Sequence, residues 1–210
     1  MRLKTLLCLS ALAAGAATSM AQSNVYSLNV VGYYNVTVPA GQYKLTANQL
    51  VQTNSQVQTI FATVPDNTTI IKWTGTAFAP DSFSGGAWDD GTETVVPGEG
   101  FFIKNNGGSP FTVTFVGEVN QNTNTLNFTS GAYKLVSLWT PQAGLVQTDF
   151  GYPAGNLDQV LKWTGAAYAG YTFDPSIPGW DPEEPPVVVG DGFFVKPTGA
   201  RTWTRKFTVQ

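Results

Sequence analysis

The sequence predicts an all-β protein: two homologous sandwich- or barrel-like modules in tandem, with at most one short helix per module. Three observations carry that prediction. Short segments alternate apolar and polar side chains with period two, as half-buried strands do. Turn signals containing glycine separate them. The chain also restates itself in order. GQYKL at 41–45 returns as GAYKL at 131–135, and IIKWTGTAFA at 70–79 returns as VLKWTGAAYA at 160–169. AWDDGTETVVPGEGFFIK at 87–104 returns as GWDPEEPPVVVGDGFFVK at 179–196. The first two pairs are offset by 90 residues and the third by 92, which places a two-residue insertion around residues 170–178. Three blocks kept in register are the mark of a duplicated unit.

The elements follow in chain order. Residues 1–21 read as a secretory signal peptide. Arg2 and Lys4 form its basic start, and residues 6–17 form an apolar run too short to span a bilayer. Ser19, Met20 and Ala21 supply the small-residue cleavage site. The first module then covers 22–119 and the second 120–210. YKL sets Tyr43 and Leu45 on one face of a strand and Lys44 on the other. SQVQTIFATV at 55–64 spaces Val57, Ile60, Phe61 and Val64 as a helix would, with Asn54 or Ser55 as its cap. Its counterpart, LVQTDF at 145–150, is a weaker helical signal.

In IIKW, Ile71 and Trp73 share a face; WTG then marks a turn, because Gly75 tolerates positive φ. Gly98 and Gly100 launch FFIK, and FTVTFVGEV puts Val113 and Phe115 on one side, threonines on the other. The polar span VNQNTNTLNFTSG reads as a connecting strand and turn rather than a free linker, so the modules should pack together. Five or six strands per module are expected. The repeated aromatics Tyr43 with Tyr133, Phe78 with Tyr168, and Phe101 with Phe193 are expected in the cores.

Composition narrows function by exclusion. The chain has no histidine, and its one cysteine, Cys8, lies inside the signal peptide. Disulfides, thiol nucleophiles and Ser-His-Asp or Cys-His catalysis are thereby excluded from the mature chain, as is structural zinc of the usual kind. Losing Arg2 and Lys4 moves the net charge from −3 to −5. No basic patch is present for nucleic acid, and no polybasic run for an anionic membrane. No cofactor is expected.

The order aromatic-x-Leu, Lys-Trp-Thr-Gly-x-Ala-aromatic and Gly-acid-Gly-Phe-Phe resembles tandem β-rich repeat modules of secreted and surface proteins from environmental Gram-negative bacteria. The resemblance covers nearly all of the mature chain. It implies an extracellular β-module and no catalytic residues. The chain departs from the pattern after the opening strand, where LTANQL lacks the proline that LVSLWTP supplies at Pro141.

Candidate sites are few. GEGFF and GDGFF are glycine-rich, but a phosphate cradle needs a following helix and a strand is expected here. The repeated lysines Lys44/Lys134, Lys72/Lys162 and Lys104/Lys196 are expected on solvent faces of strands, with a surface for an acidic glycan as the other reading. Trp88 with Asp89, and Trp180 with Asp181, lie in loop-like sequence and are the candidate ligand-binding residues, although the favoured reading is that each indole caps the edge of its own module's core. An exposed indole covers a sugar's apolar face and a neighbouring acid accepts its hydroxyls. Asp89, Asp90 and Glu93, with Asp181, Glu183 and Glu184, form acidic loops that calcium or solvent would suit.

The expected function is therefore structural or adhesive, without enzymatic activity. The compartment is the cell surface or extracellular matrix, with the periplasm also open to a secreted chain, and the partners are polysaccharide or other surface components. No insertion in a membrane is expected once the signal is cut. The alternatives are carbohydrate binding through Trp88 and Trp180, and a carboxylate-based glycoside hydrolase.

Overall fold

The computed structural model describes residues 30–177 and 179–208; the predicted signal peptide lies outside them. The chain is nearly all β. Its N-terminal half runs β1 (Val31–Val38), β2 (Tyr43–Ala47), α1 (Val57–Ile60), β3 (Thr68–Trp73), β4 (Phe78–Ser84), β5 (Ala87–Trp88), β6 (Gly100–Asn105) and β7 (Phe111–Glu118). Its C-terminal half runs β8 (Thr123–Phe128), β9 (Lys134–Ser137), β10 (Gly144–Leu145), β11 (Gln159–Trp163), β12 (Tyr168–Asp174), β13 (Gly179–Asp181), β14 (Pro186–Val187), β15 (Gly192–Lys196) and β16 (Arg201–Lys206). More strands form than the five or six expected in each half. The extra ones, such as β5, β10 and β14, are two-residue pieces, too short to show any alternation.

Strand order is the same in both halves. A five-stranded sheet β2-β6-β3-β4-β5 corresponds strand for strand to β9-β15-β11-β12-β13, and the ribbon β1-β7 corresponds to β8-β16. The two extra residues fall in one hairpin: β4 ends at Ser84 with β5 starting at Ala87, whereas β12 ends at Asp174 with β13 starting at Gly179.

In each half one face of the sheet packs against the ribbon. The first core joins Ile70, Phe83, Phe101 and Ile103 of the sheet to Tyr34, Val36, Val113 and Phe115 of the ribbon, with Val57, Phe61 and Val64 closing one side. The second joins Val136, Val160, Phe193 and Val195 to Phe128 and Trp203, with Val146, Phe150 and Tyr152 alongside. The helical reading of 55–64 shrinks to the single turn α1. Its cap position is Gln56, with no side-chain cap; the Asn54 side chain instead accepts the Gln56 amide in a turn. No helix forms among the described residues at 145–150, where backbone bonds such as Gly151 N to Gln147 O close a turn.

The doublets Phe101-Phe102 and Phe193-Phe194 explain how the halves meet. Adjacent strand residues point to opposite faces, so a doublet of buried rings requires cover on both sides. Phe101 and Phe193 enter their own cores. Phe102 and Phe194 turn the other way and join Leu45 and Leu135 in a third buried cluster between the sheets, against which Ile71, Trp73, Leu161 and Trp163 pack.

The glycines of the Gly-acid-Gly motif permit that contact. A Cβ on Gly192 would stand 2.6 Å from the Thr46 carbonyl oxygen and 3.2 Å from the Gly100 Cα; one on Gly100 would stand 2.9 Å from the Val136 oxygen. The first glycines, Gly98 and Gly190, adopt φ of 94° and 82°. Their carbonyls accept amides from the opposite half, Ser137 N to Gly98 O at 3.1 Å and Ala47 N to Gly190 O at 3.0 Å. The motif is thus a joint between halves and holds no phosphate cradle.

Two substitutions test the joint. Gly192→Ala puts a methyl against backbone and is expected to cost about 1–3 kcal/mol, as overpacking does. Gly170→Ala, whose Cβ would sit 3.6 Å from a Leu161 methyl, should be nearly neutral. Thermal denaturation should therefore place Gly192→Ala several degrees below both Gly170→Ala and the parent protein.

Candidate functional site

The rings expected in the cores divide into two sets. Phe101 and Phe193 are fully buried, but Tyr43, Phe78, Tyr133 and Tyr168 are 42%, 47%, 36% and 41% exposed. The correction has a simple cause. These four lie on the sheet face opposite the ribbon, where the other half covers only the middle. They surround the junction of the two sheets and form a groove.

The Lys-Trp-Thr-Gly-x-Ala-aromatic motif builds this groove. Thr74 and Ala77 exchange backbone and hydroxyl hydrogen bonds, with Thr74 N to Ala77 O at 2.9 Å and Ala77 N to Thr74 Oγ1 at 3.1 Å. Gly75 takes φ of 102° in the same turn. Thr164, Gly165 and Ala167 repeat the arrangement. The resulting register sets Trp73 opposite Phe78 and Trp163 opposite Tyr168. Ring centres are 4.9 Å apart in the first pair and 5.1 Å in the second.

Each tryptophan then reaches into the other half. Trp73 Nε1 donates to the Tyr133 carbonyl at 3.0 Å, and Trp163 Nε1 to the Tyr43 carbonyl at 3.1 Å. Their rings meet Phe194 and Phe102 edge-on at 5.6 and 5.7 Å. Reciprocal bonds of this kind anchor the tyrosine-bearing backbone while leaving the tyrosine rings uncovered.

The groove has two matching lobes. One, of about 290 Å³, is lined by Tyr43, Ile71, Phe78, Phe102, Trp163 and Tyr168. The other, of about 170 Å³, is lined by Tyr133, Leu161, Tyr168, Phe194, Trp73 and Phe78. Each residue of the first has its repeat counterpart in the second, and Phe78 and Tyr168 belong to both. The second lobe shares Trp73 and Tyr133 with a further depression of about 560 Å³ that adds polar groups, among them Thr74, Asn127, Thr129 and Lys134. The track therefore runs from apolar lobes into a polar extension. Partial burial raises the Tyr168 hydroxyl above the ordinary tyrosine value, so it stays a neutral donor.

Two lysines lie over tyrosine rings of the groove. Lys104 Nζ lies 4.2 Å from the Tyr43 ring centre and donates to Gly41 O at 2.7 Å. Lys196 Nζ lies 5.0 Å from the Tyr133 ring centre. The other repeated pair departs from the solvent-face expectation. Lys72 and Lys162 form ion pairs with Glu99 at 3.0 Å and Asp191 at 2.9 Å, the acids of the Gly-acid-Gly motif. Lys72 also donates to Thr94 O, and Lys162 to Pro186 O. These lysines brace the loops that carry the inter-half glycines.

The tryptophans singled out by sequence lie elsewhere, on β5 and β13, at the sheet edges farthest from the junction. Their burial follows the reading in which each indole caps the edge of its own core. Trp180 is 6% exposed, packs on Phe173 and Tyr152, and donates to Gln147 Oε1 at 2.8 Å. Trp88 is half-buried against Phe61 and Phe83. Both rings cap the ends of their own cores, because the short edge strands fold the indoles inward. Asp89 and Asp181 remain exposed. Trp180 and Asp181 do border an open depression with Gln147, Glu183 and Glu184. The Glu184 carboxylate there accepts the Gln147 and Thr148 amides, both at 2.6 Å, and so serves the loop. Among the described residues no group of three acids is placed to hold a metal ion.

A titratable cluster in the C-terminal half braces its loops. Asp158, fully buried, accepts the amides of Gly155 and Thr198, the Tyr152 hydroxyl and the Arg201 guanidinium. Burial alone would raise its carboxyl; the amide and guanidinium bonds outweigh that and hold it below the ordinary range. No family model matches the chain, and no curated protein or solved structure shows significant similarity to it.

Two outcomes follow. A carboxyl depressed on folding contributes stability at pH above its unfolded value of about 3.9 and loses it as pH falls through the lower folded value. Asp158→Asn should therefore cost roughly 3 kcal/mol at neutral pH, and denaturant melts should show the gap to the parent narrowing below pH 4. The groove rings should behave differently from core rings. Phe101→Ala is expected to cost about 3–5 kcal/mol, whereas Phe78→Ala and Tyr168→Ala should each cost about 1 kcal/mol or less in the same assay, as surface positions do.

Proposed function

We propose that the protein is a secreted, non-enzymatic adhesive β-protein that holds glycan chains of the cell surface or extracellular matrix in the aromatic groove between its halves. A duplicated ancestral unit is part of this reading, and supplies the matched lobes. One observation carries the proposal: four exposed aromatic rings are set around a junction whose tryptophans and phenylalanines are already fixed by contacts between the halves. Exposed rings gathered at one junction, rather than scattered singly, support an interaction site there. A rigid aromatic platform loses little entropy when a ring-shaped ligand settles on it.

Two matched lobes that share Phe78 and Tyr168, the second also sharing Trp73 and Tyr133 with the polar extension, favour a polymer over a small compact ligand. The tyrosine hydroxyls and the polar extension offer partners for sugar hydroxyls. Two lobes sharing central rings let neighbouring sugars bind together, so weak single contacts reinforce one another. The acids of the repeated motif are occupied in ion pairs, which favours a holding role over acid–base chemistry.

Affinity electrophoresis and calorimetry with soluble polysaccharides test the reading. Wild-type protein should bind at least one linear glycan, and Phe78→Ala combined with Tyr168→Ala should weaken it tenfold or more without loss of fold. Binding that survives this pair but disappears with Trp180→Ala would move the site to the depression beside β13. Absence of binding to every glycan tested would leave a purely structural role.

A further inference from the structure

We infer that the groove selects a linear polysaccharide bearing carboxylates, a polyuronate, through Lys104 and Lys196. The inference rests on the glycan-binding reading above and adds the charge class of the ligand. Its ground is charge complementarity at the groove, where Lys104 and Lys196 lie against two of the tyrosine rings.

Among the described residues, three basic side chains have carboxylate partners: Lys72, Lys162 and Arg201. Lys104 and Lys196 have none within ion-pair distance. They occupy equivalent positions on β6 and β15, Lys104 Nζ 4.2 Å from the Tyr43 ring centre and Lys196 Nζ 5.0 Å from the Tyr133 ring centre. Lys134, which lines the polar extension and donates to Asn127 O at 2.9 Å, continues the basic edge. The one acid lining that extension, Glu99, is neutralised by Lys72 at 3.0 Å.

A chain of net charge −5 after loss of Arg2 and Lys4 thus keeps uncompensated cations against two tyrosine rings that line its apolar groove. That arrangement suits a ligand whose rings stack on aromatics and whose edges carry negative charge. A cation held over a tyrosine face keeps its outward side free for a carboxylate. Lysine suits a carboxylate met as a point charge, without the planar match that arginine would impose.

The test compares a hexameric uronate with the same oligosaccharide after reduction of its carboxyl groups, by calorimetry on the full mature chain. The uronate should bind about tenfold more tightly at 50 mM salt, and the preference should shrink at 500 mM as the exposed charges are screened. Lys104→Gln with Lys196→Gln should bring the ratio of affinities close to one, and Lys104→Arg with Lys196→Arg should restore it. Lys206→Gln, on the exposed strand β16, should keep the preference and so separate a local from a general charge effect. Melting curves establish that each variant is folded.

Equal wild-type affinity for both oligosaccharides overturns the selectivity and leaves the groove as a neutral-glycan site. A preference that persists in the double glutamine variant overturns the role of these lysines. Failure of either oligosaccharide to bind, with no effect of Phe78→Ala and Tyr168→Ala, overturns the groove itself.

Discussion

Everything in this molecule depends on burying both faces of strands β6 and β15. Phe101 and Phe193 satisfy one face inside each half. Phe102 and Phe194 leave an apolar face that only the other half can cover. Removing that surface from water is the non-directional driving force, worth roughly 25 cal/mol per Å² of apolar area. Direction comes from Gly100 and Gly192, where any side chain would strike the opposing backbone. It comes also from Trp73 and Trp163, whose single polar atoms each find a carbonyl across the junction. Apolar burial supplies the attraction, and the glycines and indoles set the angle at which the halves meet.

That angle leaves the junction incompletely covered. The hairpins β3–β4 and β11–β12 carry Phe78 and Tyr168 past the edge of the buried cluster, and Tyr43 and Tyr133 flank them. A protein whose only requirement was stability would gain by closing over these rings. Here the contacts between the halves hold the surrounding backbone, and the rings themselves stay accessible. The support beneath is held by contacts between the halves, and the apolar rings above stay open to solvent. Asymmetry between the halves lies mostly elsewhere. The Asp158–Arg201 network stabilises only the C-terminal half, where Thr68 and Phe111 occupy the equivalent positions of the N-terminal half.

Much of the fold was legible in the residues. Period-two alternation in FTVTFVGEV located β7 and its buried Val113 and Phe115, since a ribbon lying on a core has one wet face. The repeat offsets anticipated the matching strand orders and even the longer β12–β13 hairpin. The helical pattern at 55–64 misled in part. Val57, Phe61 and Val64 are buried as spaced, but Pro65 and a turn stop the helix after four residues. The site was less legible. Trp88 and Trp180 drew attention because glycines and acids surround them, yet edge strands of two and three residues suffice to tuck an indole under a sheet. The signal for the groove was present in the doubly apolar faces: Ile71, Trp73, Phe78 and Phe102 share one side of a sheet whose other side is already filled.

By itself the sequence determined the longer strands, the repeated order of its motifs, the absence of imidazole chemistry, and the need for each Phe-Phe doublet to be covered twice. These are local or compositional facts, settled by side-chain period and residue type. Which surface does the covering, and how far it reaches, was decided only by tertiary structure. The crossing angle depends on sub-ångström clearances between backbones at Gly100 and Gly192, and on two indole hydrogen bonds between residues 60 and 120 positions apart. No periodicity along the chain encodes such distances. Whether Tyr43 and Phe78 lie inside a core or around an open groove is a property of the packed halves together.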